Sequence, residues 1–200
     1  MENSLFTVGH SNHTIEHFKS ILIRHQIDVI CDVRSNPYSK YNPQFNKEFL
    51  KNELKKSNIK YLFLGKELGA RSDKKKYYIN NKVKYSLLVK DPLFKIGIKR
   101  LEDGMKQYKI ALMCAEKDPI TCHRMILIIR EIREKSSIQH ILENGTLENN
   151  SEAESRLMNL HGLEINLFQQ NNQLVEQAYD LQADKIAYEL NEGISHLKSV

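Results

Sequence analysis

The sequence predicts an α/β fold: a single compact domain with a mainly parallel sheet flanked by helices, followed by a C-terminal strand and helix extension. Three observations lead to this prediction. Short apolar runs alternate with amphipathic stretches over most of the chain, which is typical of a parallel sheet covered by helices. Two of the runs are almost continuously apolar, as expected for strands buried on both faces. The tail breaks the alternation, so we expect a domain over residues 1–148 and an extension over residues 149–200.

Five apolar runs are predicted to form the strands of the sheet. They occupy residues 6–9, 27–33, 61–64, 110–114 and 138–142. The runs at 27–33 and 110–114 are the nearly continuous ones. A Ser-Asn-Pro turn at 35–37 ends the second run and Gly65 ends the third, since proline and glycine interrupt regular structure.

The segments between these runs have helical periodicity. Helices are expected at residues 14–25, 46–57, 92–108 and 122–135. Thr14 is the predicted N-cap of the first helix, and Glu16 lies in its first turn, where a negative charge is favourable. Residues 70–84 show no period and predict a long polar loop. In the tail, alternation at 163–167 predicts a short strand, and residues 174–181 predict a closing amphipathic helix.

Composition excludes several classes of protein. The 200 residues are 40% hydrophobic and 28% charged, which fits a globular chain and not a disordered one. No apolar run reaches the roughly 18 residues of a membrane span, and the first residues lack the pattern of a secretory signal. Three cysteines are too few for a disulfide scaffold, so we expect reduced thiols, a cytoplasmic location and no membrane contact.

The net charge of +5 favours an anionic partner such as a nucleotide or nucleic acid. A lysine-rich solvated surface produces the same charge, so charge alone does not choose between these interpretations.

Polar side chains follow three of the predicted strands at the point where each ends. They are His10 and Ser11, Asp32 and Arg34, and Cys114 and Glu116. The carboxyl ends of parallel strands share one edge of a sheet, and ligands bind in the crevice at that edge. We therefore expect one site built from all three strand ends. Asp32 and Arg34 lie on the same face by the two-residue period, and the alternative is that they pair as a structural bridge.

The stretch from Cys114 to Arg124 has the strongest chemical pattern, because a loop there joins a strand end to a helix start. Asp118 followed by Pro119 is typical of an N-cap, and Thr121 is the other candidate cap. Free backbone N–H groups at such a start favour an anion, and Arg124 can add a bidentate contact to phosphate.

Three other interpretations of this stretch remain open. The helix start, His123 and Arg124 can lower the pKa of Cys114 or Cys122, which would make a thiolate nucleophile. Both cysteines can equally be core residues. Cys114, Cys122 and His123, with His10, are also zinc-ligand types, but Cys-x7-Cys-His is not a usual ligand spacing. The sequence therefore predicts no metal and no cofactor.

A set of short motifs, taken in order, resembles a known family. The motifs are Gly9-His10-Ser11-Asn12, Asp32-Val33-Arg34-Ser35-Asn36-Pro37-Tyr38-Ser39, Asn42-Pro43-Gln44-Phe45-Asn46, Leu68-Gly69, Cys114-Ala115-Glu116-Lys117-Asp118 and Cys122-His123-Arg124. Together they resemble the DUF488 family, a family of unknown function described as a compact α/β domain in bacteria and archaea. The resemblance spans roughly residues 5–145. It implies that the strand-end residues form one site, and it supplies no substrate.

The function hypothesis is a cytosolic hydrolase or transferase acting on a phosphate-bearing or nucleotide-like substrate. The expected catalytic residues are His10, Asp32, Cys114, Glu116 and His123. The expected anion- and substrate-binding residues are Ser11, Arg34, Tyr38, Ser39, Cys122 and Arg124. Three residues after the third strand can line the same crevice: Lys66, Glu67 and Arg71. The alternatives are a nucleotide or nucleic-acid binding module without catalysis, and a thiol redox or metal-binding protein.

Overall fold

A six-stranded sheet organises the protein in the computed structural model, which describes residues 4–164 and 171–190. Its strands are β1 (Ser4–Gly9), β2 (Val29–Asp32), β3 (Lys60–Phe63), β6 (Ile110–Cys114), β7 (Ser137–Ile141) and β8 (Leu147–Asn149). The spatial order is β3-β2-β6-β1-β7-β8. Four neighbouring pairs are parallel and the pair β7–β8 is antiparallel. The predicted mainly parallel sheet is confirmed, with each of the five expected strands in place.

Helices cover the sheet on both faces. The longer ones are α1 (Ile15–Arg24), α2 (Lys47–Lys56), α5 (Pro92–Met105), α7 (Asn150–Leu160) and α8 (Asn171–Ile186). Three short helices, α3 (Gly65–Leu68), α4 (Tyr85–Leu88) and α6 (Arg130–Ile132), complete the set. The Thr14 side chain accepts a hydrogen bond from the His17 N–H, which confirms the predicted N-cap of α1.

Side chains of the parallel strands alternate between two apolar cores. Leu112 and Cys114 of β6 belong to the core under α5, α7 and α8, whereas Ala111 and Met113 belong to the core under α1 and α2. This alternation follows from the two-residue period of a strand. It explains why the run 110–114 is apolar without interruption, as the sequence indicated.

The helix expected at 122–135 begins differently from the prediction. A π-helical segment, Arg124–Ile129, precedes the short α6. The residues of this segment are all buried. Wide turns of this kind are rare and occur often at functional sites. The N-cap predicted at Asp118 belongs instead to a separate 3-10 turn, Pro119–Thr121, where the Asp118 side chain accepts a hydrogen bond from the Ile120 N–H.

The polar segment at 70–84 is more ordered than the expected loop. It contains a 3-10 turn, Lys75–Tyr77, and a small hairpin of β4 (Tyr78–Ile79) and β5 (Lys82–Val83). Tyr77 and Val83 are buried against the core, which fixes this segment in place. Two-residue strands have no readable periodicity, so the pattern of the sequence did not predict them.

The C-terminal extension packs onto the domain. Buried side chains of α8, including Leu174, Ala178 and Tyr179, join the core under α5. The amphipathic helix expected at 174–181 is therefore confirmed, whereas β8 and α7 were not predicted. The strand expected at 163–167 falls largely outside the described residues. Within the part of the chain that the structure covers, no helix is long and apolar enough to cross a membrane.

Candidate functional site

A crevice of about 280 Å³ opens at the carboxyl edge of the sheet. It is lined by Arg34, Ser35, Asn36, Tyr38, Ala70, Arg71, Tyr85, Cys114, Ala115, Glu116, Thr121, His123, Ile186 and Tyr188. β1, β2 and β6 all end here, because they run parallel and Gly9 pairs in register with Cys114. The expected convergence of strand ends is therefore present in the fold.

Two glycines allow the backbone to pack tightly around this edge. A Cβ atom on Gly9 would lie 1.9 Å from the carbonyl oxygen of Glu116, and one on Gly65 would lie 2.0 Å from the carbonyl oxygen of Arg34. Neither position has room for any other residue type without a backbone shift. Gly9 thus brings the segments after β1 and β6 into contact, and Gly65 does the same for the segments after β2 and β3.

One group of strand-end side chains, which we call the arginine cluster, comprises His10, Asp32 and Arg34. The Arg34 guanidinium donates from Nε and Nη2 to the two Asp32 carboxylate oxygens, at 2.9 and 2.6 Å. Nη2 also donates to the Phe45 carbonyl oxygen at 2.8 Å. Tyr61 donates its hydroxyl to Asp32 at 2.7 Å. The alternative of a structural bridge between Asp32 and Arg34 is therefore the arrangement observed.

His10 lies behind Arg34 and not in the crevice wall. Its Nε2 lies 3.1 Å from Arg34 Nη1 and its Nδ1 lies 2.8 Å from the Ser11 carbonyl oxygen. Because guanidinium only donates, Nε2 accepts and Nδ1 carries the proton. Burial, reinforced by the positive charge of Arg34, lowers the pKa of His10 to about 4. The neutral imidazole stacks on Phe45 at 4.3 Å and holds Arg34, and the proton-transfer role of His10 stays a prediction.

A second group, the thiol cluster, comprises Cys114, Glu116, Cys122 and His123. The Cys114 thiol donates to Glu116 Oε2 at 2.9 Å, and the Cys122 thiol donates to the same oxygen at 3.1 Å. Cys114 Sγ also lies 3.4 Å from His123 Nδ1. One atom from each of the four residues falls within 4.8 Å of all the others. The loop 115–121 doubles back between β6 and the π-helical segment, and this brings together residues that are distant along the chain.

The two thiols of the thiol cluster have pKa values shifted in opposite directions. Burial and the adjacent Cys122 and Glu116 raise the pKa of Cys114 well above its usual value. Burial would also raise the pKa of Cys122, but the hydrogen bond with Cys114 and the charge of Arg124 hold it well below. Of the two thiols for which a lowered pKa was predicted, Cys122 has the lowered pKa and Cys114 the raised one, and the nucleophilic role of Cys114 stays a prediction. The thiol with the lowered pKa is Cys122, which does not line the crevice.

Arg124 holds the loop 115–121 through hydrogen bonds to its backbone. It is fully buried, and its Nη1 and Nη2 donate to the carbonyl oxygens of Glu116 and Lys117. Asp118 in the same loop pairs with Arg156 of α7 at 3.0 Å. Arg124 thus holds the backbone of the thiol cluster, and the predicted anion contact of Arg124 stays a prediction.

The structure divides the predicted site residues into two layers. Those in the crevice wall are Arg34, Tyr38, Cys114, Glu116 and His123. Buried behind the wall are His10, Asp32, Cys122 and Arg124, whereas Ser11 and Ser39 are half-buried loop residues outside the crevice lining. Ser39 lies in a loop where its hydroxyl accepts hydrogen bonds from the Tyr41 and Asn42 N–H groups. Ser11, in the left-handed region at φ 48°, donates its N–H to the Ala115 carbonyl oxygen at 2.9 Å.

Two tyrosines and one arginine in the crevice wall come from segments whose sequence gave little indication of a site. Tyr85 begins α4, Tyr188 follows α8, and Arg71 lies in the predicted loop. The Arg71 guanidinium stacks on the Tyr188 ring at 4.5 Å, so the extension supplies part of the crevice wall. Only Arg71 was anticipated, from its place after the third strand.

Comparison with known families identifies the larger group. The family model described as "Domain of unknown function DUF488" matches residues 14–130, more than half of the chain. The chain belongs to the DUF488 family. The DUF488 match includes the thiol cluster and Arg34, and it ends before α7 and α8. Neither the comparison with curated proteins nor that with solved structures produced a match for this DUF488 chain.

Proposed function

We propose that this DUF488 chain is an enzyme, a hydrolase or transferase, that acts on a small phosphate-bearing or nucleotide-like substrate in the strand-end crevice. The observation that carries the proposal is that Arg71 lines the same small crevice as three residues of the thiol cluster. Among the described residues, Arg71 has no acidic side chain as an ion-pair partner. The free state of all three cysteines supports a reducing, cytoplasmic setting.

Arg71 is the side chain best suited to bind the anion. It is exposed, and among the described residues its guanidinium has no carboxylate partner within ion-pair distance. Its backbone N–H donates to the Ser35 hydroxyl, which fixes the chain direction at this point. Stacking on Tyr188 holds the guanidinium plane while leaving its N–H edge free for a phosphate or carboxylate.

Arg34 is less available for ligand contacts. Hydrogen bonds to Asp32, His10 and Phe45 occupy four of its five N–H groups. The remaining Nη1–H is the one that can reach a ligand, since Arg34 lines the crevice. Arg34 therefore contributes a fixed positive charge and one donor, and Arg71 contributes the bidentate contact.

The size of the crevice favours a small molecule. Its volume of about 280 Å³ is near the lower limit of roughly 300 Å³ for ligand pockets. Tyr38, Tyr85 and Tyr188 line it, and tyrosine rings stack on bases and sugars. A mononucleotide fragment or a sugar phosphate fits these dimensions, whereas a duplex does not.

Glu116 is the group placed to exchange a proton with a bound substrate. It is the exposed member of the thiol cluster, while its Oε2 turns inward to the two thiols. A carboxyl group in contact with both buried donors and the crevice can accept or return a proton during hydrolysis or transfer.

A binding screen tests the substrate class. The native chain should be stabilised against thermal unfolding by nucleotides or sugar phosphates, because a ligand that binds only the folded state raises its stability. Arg71→Ala should weaken the best ligand by about 10- to 100-fold, since hydrogen bonds to charged groups contribute about 1.5–3 kcal/mol. Glu116→Gln should keep binding and abolish turnover of that ligand.

The matched control replaces Lys75 and Lys76 with alanine, because these lysines lie in the 3-10 turn and not in the crevice wall. Their loss should leave small-ligand affinity unchanged. If the lysine variant loses oligonucleotide affinity while Arg71→Ala loses nothing, the chain is a nucleic-acid binding module. If no phosphate compound stabilises the chain, the proposal fails.

A further inference from the structure

The thiol cluster brings together four side-chain atoms of the types that bind metal ions. Two thiol sulfurs, an imidazole nitrogen and a carboxylate oxygen converge within 4.8 Å. Within residues 4–164 and 171–190, no lysine or arginine forms an ion pair with Glu116. The arginine cluster, by contrast, places a guanidinium directly on its carboxylate at 2.6 Å. The thiol cluster therefore has the chemistry of a metal site, since soft sulfur ligands with imidazole suit zinc.

The spacing of the cluster fits one ion held by the two sulfurs and the imidazole nitrogen, with the Glu116 carboxylate next to it. Ligand atoms around a tetrahedral zinc lie about 3.3–3.8 Å apart, given bonds of about 2.3 Å to sulfur and about 2.0–2.2 Å to nitrogen or oxygen. Cys114 Sγ lies 3.4 Å from His123 Nδ1 and 2.9 Å from Glu116 Oε2. Cys122 Sγ lies 3.1 Å from the same oxygen. The four atoms lie within 4.8 Å of one another, so movements of up to about 1 Å bring them to coordination distances.

The surroundings of the ligands provide a second, independent observation. His123 donates its Nε2–H to the Val33 carbonyl oxygen at 3.0 Å, so Nδ1 presents its lone pair to the cluster. Metal-ligating histidines usually have their other nitrogen held in this way. The backbone N–H of Arg124 points to Cys122 Sγ at 3.4 Å, which favours a thiolate there.

From this geometry we infer that Cys114, Cys122 and His123 bind a Zn²⁺ ion whose fourth position, next to Glu116, opens to the crevice. The three ligands are buried, at 3%, 1% and 8% exposure, whereas Glu116 is exposed. Three protein ligands with one exchangeable position are typical of catalytic zinc sites. The unusual Cys-x7-Cys-His spacing has a structural cause, because a strand end and a helix start supply the ligands in place of a single knuckle.

The inference deepens the proposed function, and it rests on that function only in assigning the ion to the reacting end of the crevice. An ion at this position is a Lewis acid within reach of a substrate oxygen. Zinc binding itself depends only on the cluster, so it can be measured without a known substrate.

Metal content and cobalt spectra of the full chain test the site. The purified protein should hold one Zn²⁺ per chain, and Co²⁺ in its place should show thiolate charge-transfer absorption and the visible bands of a tetrahedral ion. Cys122→Ser and His123→Asn should each weaken Zn²⁺ at least about 100-fold and remove or alter the bands. Glu116→Gln should weaken it no more than about 10-fold, as expected for a group at an exchangeable position.

Cys31→Ala is the matched control, since Cys31 is a buried thiol of β2 outside the thiol cluster. This variant should keep full metal content and unchanged cobalt bands. Because ligand variants can fail to fold, alkylation of the native chain gives a second measurement. Zinc should protect Cys114 and Cys122 from the reagent, and a chelator should expose both.

Three results would overturn the inference: substoichiometric zinc at micromolar concentration, cobalt bands that survive Cys122→Ser, or a Cys114–Cys122 disulfide in place of the ion. A metal-free chain that still binds and turns over a phosphate compound would overturn the zinc site and leave the proposed function standing. A stoichiometric zinc complex that binds no phosphate compound would do the reverse.

Discussion

The arginine cluster and the thiol cluster lie side by side at the same edge of the sheet, yet they satisfy their buried polar groups in opposite ways. In the arginine cluster, Asp32 accepts from Arg34 and Tyr61, and Arg34 finds further acceptors in His10 and Phe45. Charges and hydrogen bonds are balanced within the protein. In the thiol cluster, both thiols compete for one oxygen of Glu116. The ion that we infer at this cluster would replace those two hydrogen bonds with coordination to sulfur.

This difference separates a cluster that supports the fold from the one that we propose takes part in the reaction. A buried carboxylate paired with arginine has no reason to exchange protons with a ligand, and it costs much to disturb. A carboxylate that accepts from two thiols and is exposed to the crevice is available for the proton exchange that the proposed function requires. The sequence pattern placed both clusters in one site, and only their partners show that they have different roles.

The largest expected effect is on the arginine cluster. Asp32→Asn leaves the buried Arg34 without its counter-charge, and breaking a buried ion pair costs about 3–5 kcal/mol. Urea unfolding should show this loss in the free energy of unfolding. The control is Asp103→Asn, whose partners Lys99 and Lys106 are exposed and whose loss should cost below about 1 kcal/mol. Equal losses in both variants would mean that the buried Asp32–Arg34 pair stabilises the fold no more than an exposed ion pair does.

The second effect is a dependence of stability on pH. His10 titrates near 6.5 when unfolded and near 4 when folded, so the unfolded chain binds more protons between these values. The contribution of His10 to the free energy of unfolding should therefore be fully present above pH 6.5 and fall by up to about 3 kcal/mol as the pH drops to 4. His10→Gln should remove this part of the slope, measured by urea unfolding at each pH.

His17→Gln is the control for that slope, because His17 is exposed on α1. The imidazole resonances of His10 can also be followed directly by NMR. A His10 midpoint near 6.5 in the folded chain would contradict the neutral, Arg34-bound imidazole.

The third effect contrasts the two carboxylates. Glu116→Gln in the chelator-treated protein should change the free energy of unfolding by less than about 1 kcal/mol. Among the residues that the structure describes, no lysine or arginine pairs with this carboxylate, and an amide oxygen still accepts from the thiols. A loss above about 2 kcal/mol would show that Glu116 supports the fold as Asp32 does, and the contrast between the clusters would fail.

The smallest expected effect concerns the crevice wall. Tyr188→Ala removes the ring under Arg71 and should weaken a phosphate ligand about 2- to 5-fold, since exposed cation–π contacts contribute about 0.5–1 kcal/mol. Titration calorimetry with the best small ligand gives this ratio. Tyr108→Ala removes a ring that contacts Lys60 at 4.0 Å outside the crevice, so its affinity should match the parent. Equal affinity in both variants would exclude a role for the extension in binding.

The sequence alone determined the five parallel strands, the helices α1, α2, α5 and α8, and the edge where the polar residues meet, whereas β8 and α7 were not predicted. Period-two and helical patterns are local, and parallel strands must bring their carboxyl ends to one edge, so the sequence pattern is enough to group His10, Asp32 and Cys114. The short elements β4, β5, α3 and α4 escaped because they are shorter than the pattern that would reveal them.

The tertiary structure decided which of those residues face the crevice. Side-chain direction at a strand end depends on loops folded over it: the loop 115–121 turns Arg124 inward and brings Cys122 and His123 back to Cys114. Tyr188 reaches Arg71 only because α8 packs against the core. Such contacts join segments far apart in the chain, and a pattern of neighbouring residues carries no information about distances of that kind.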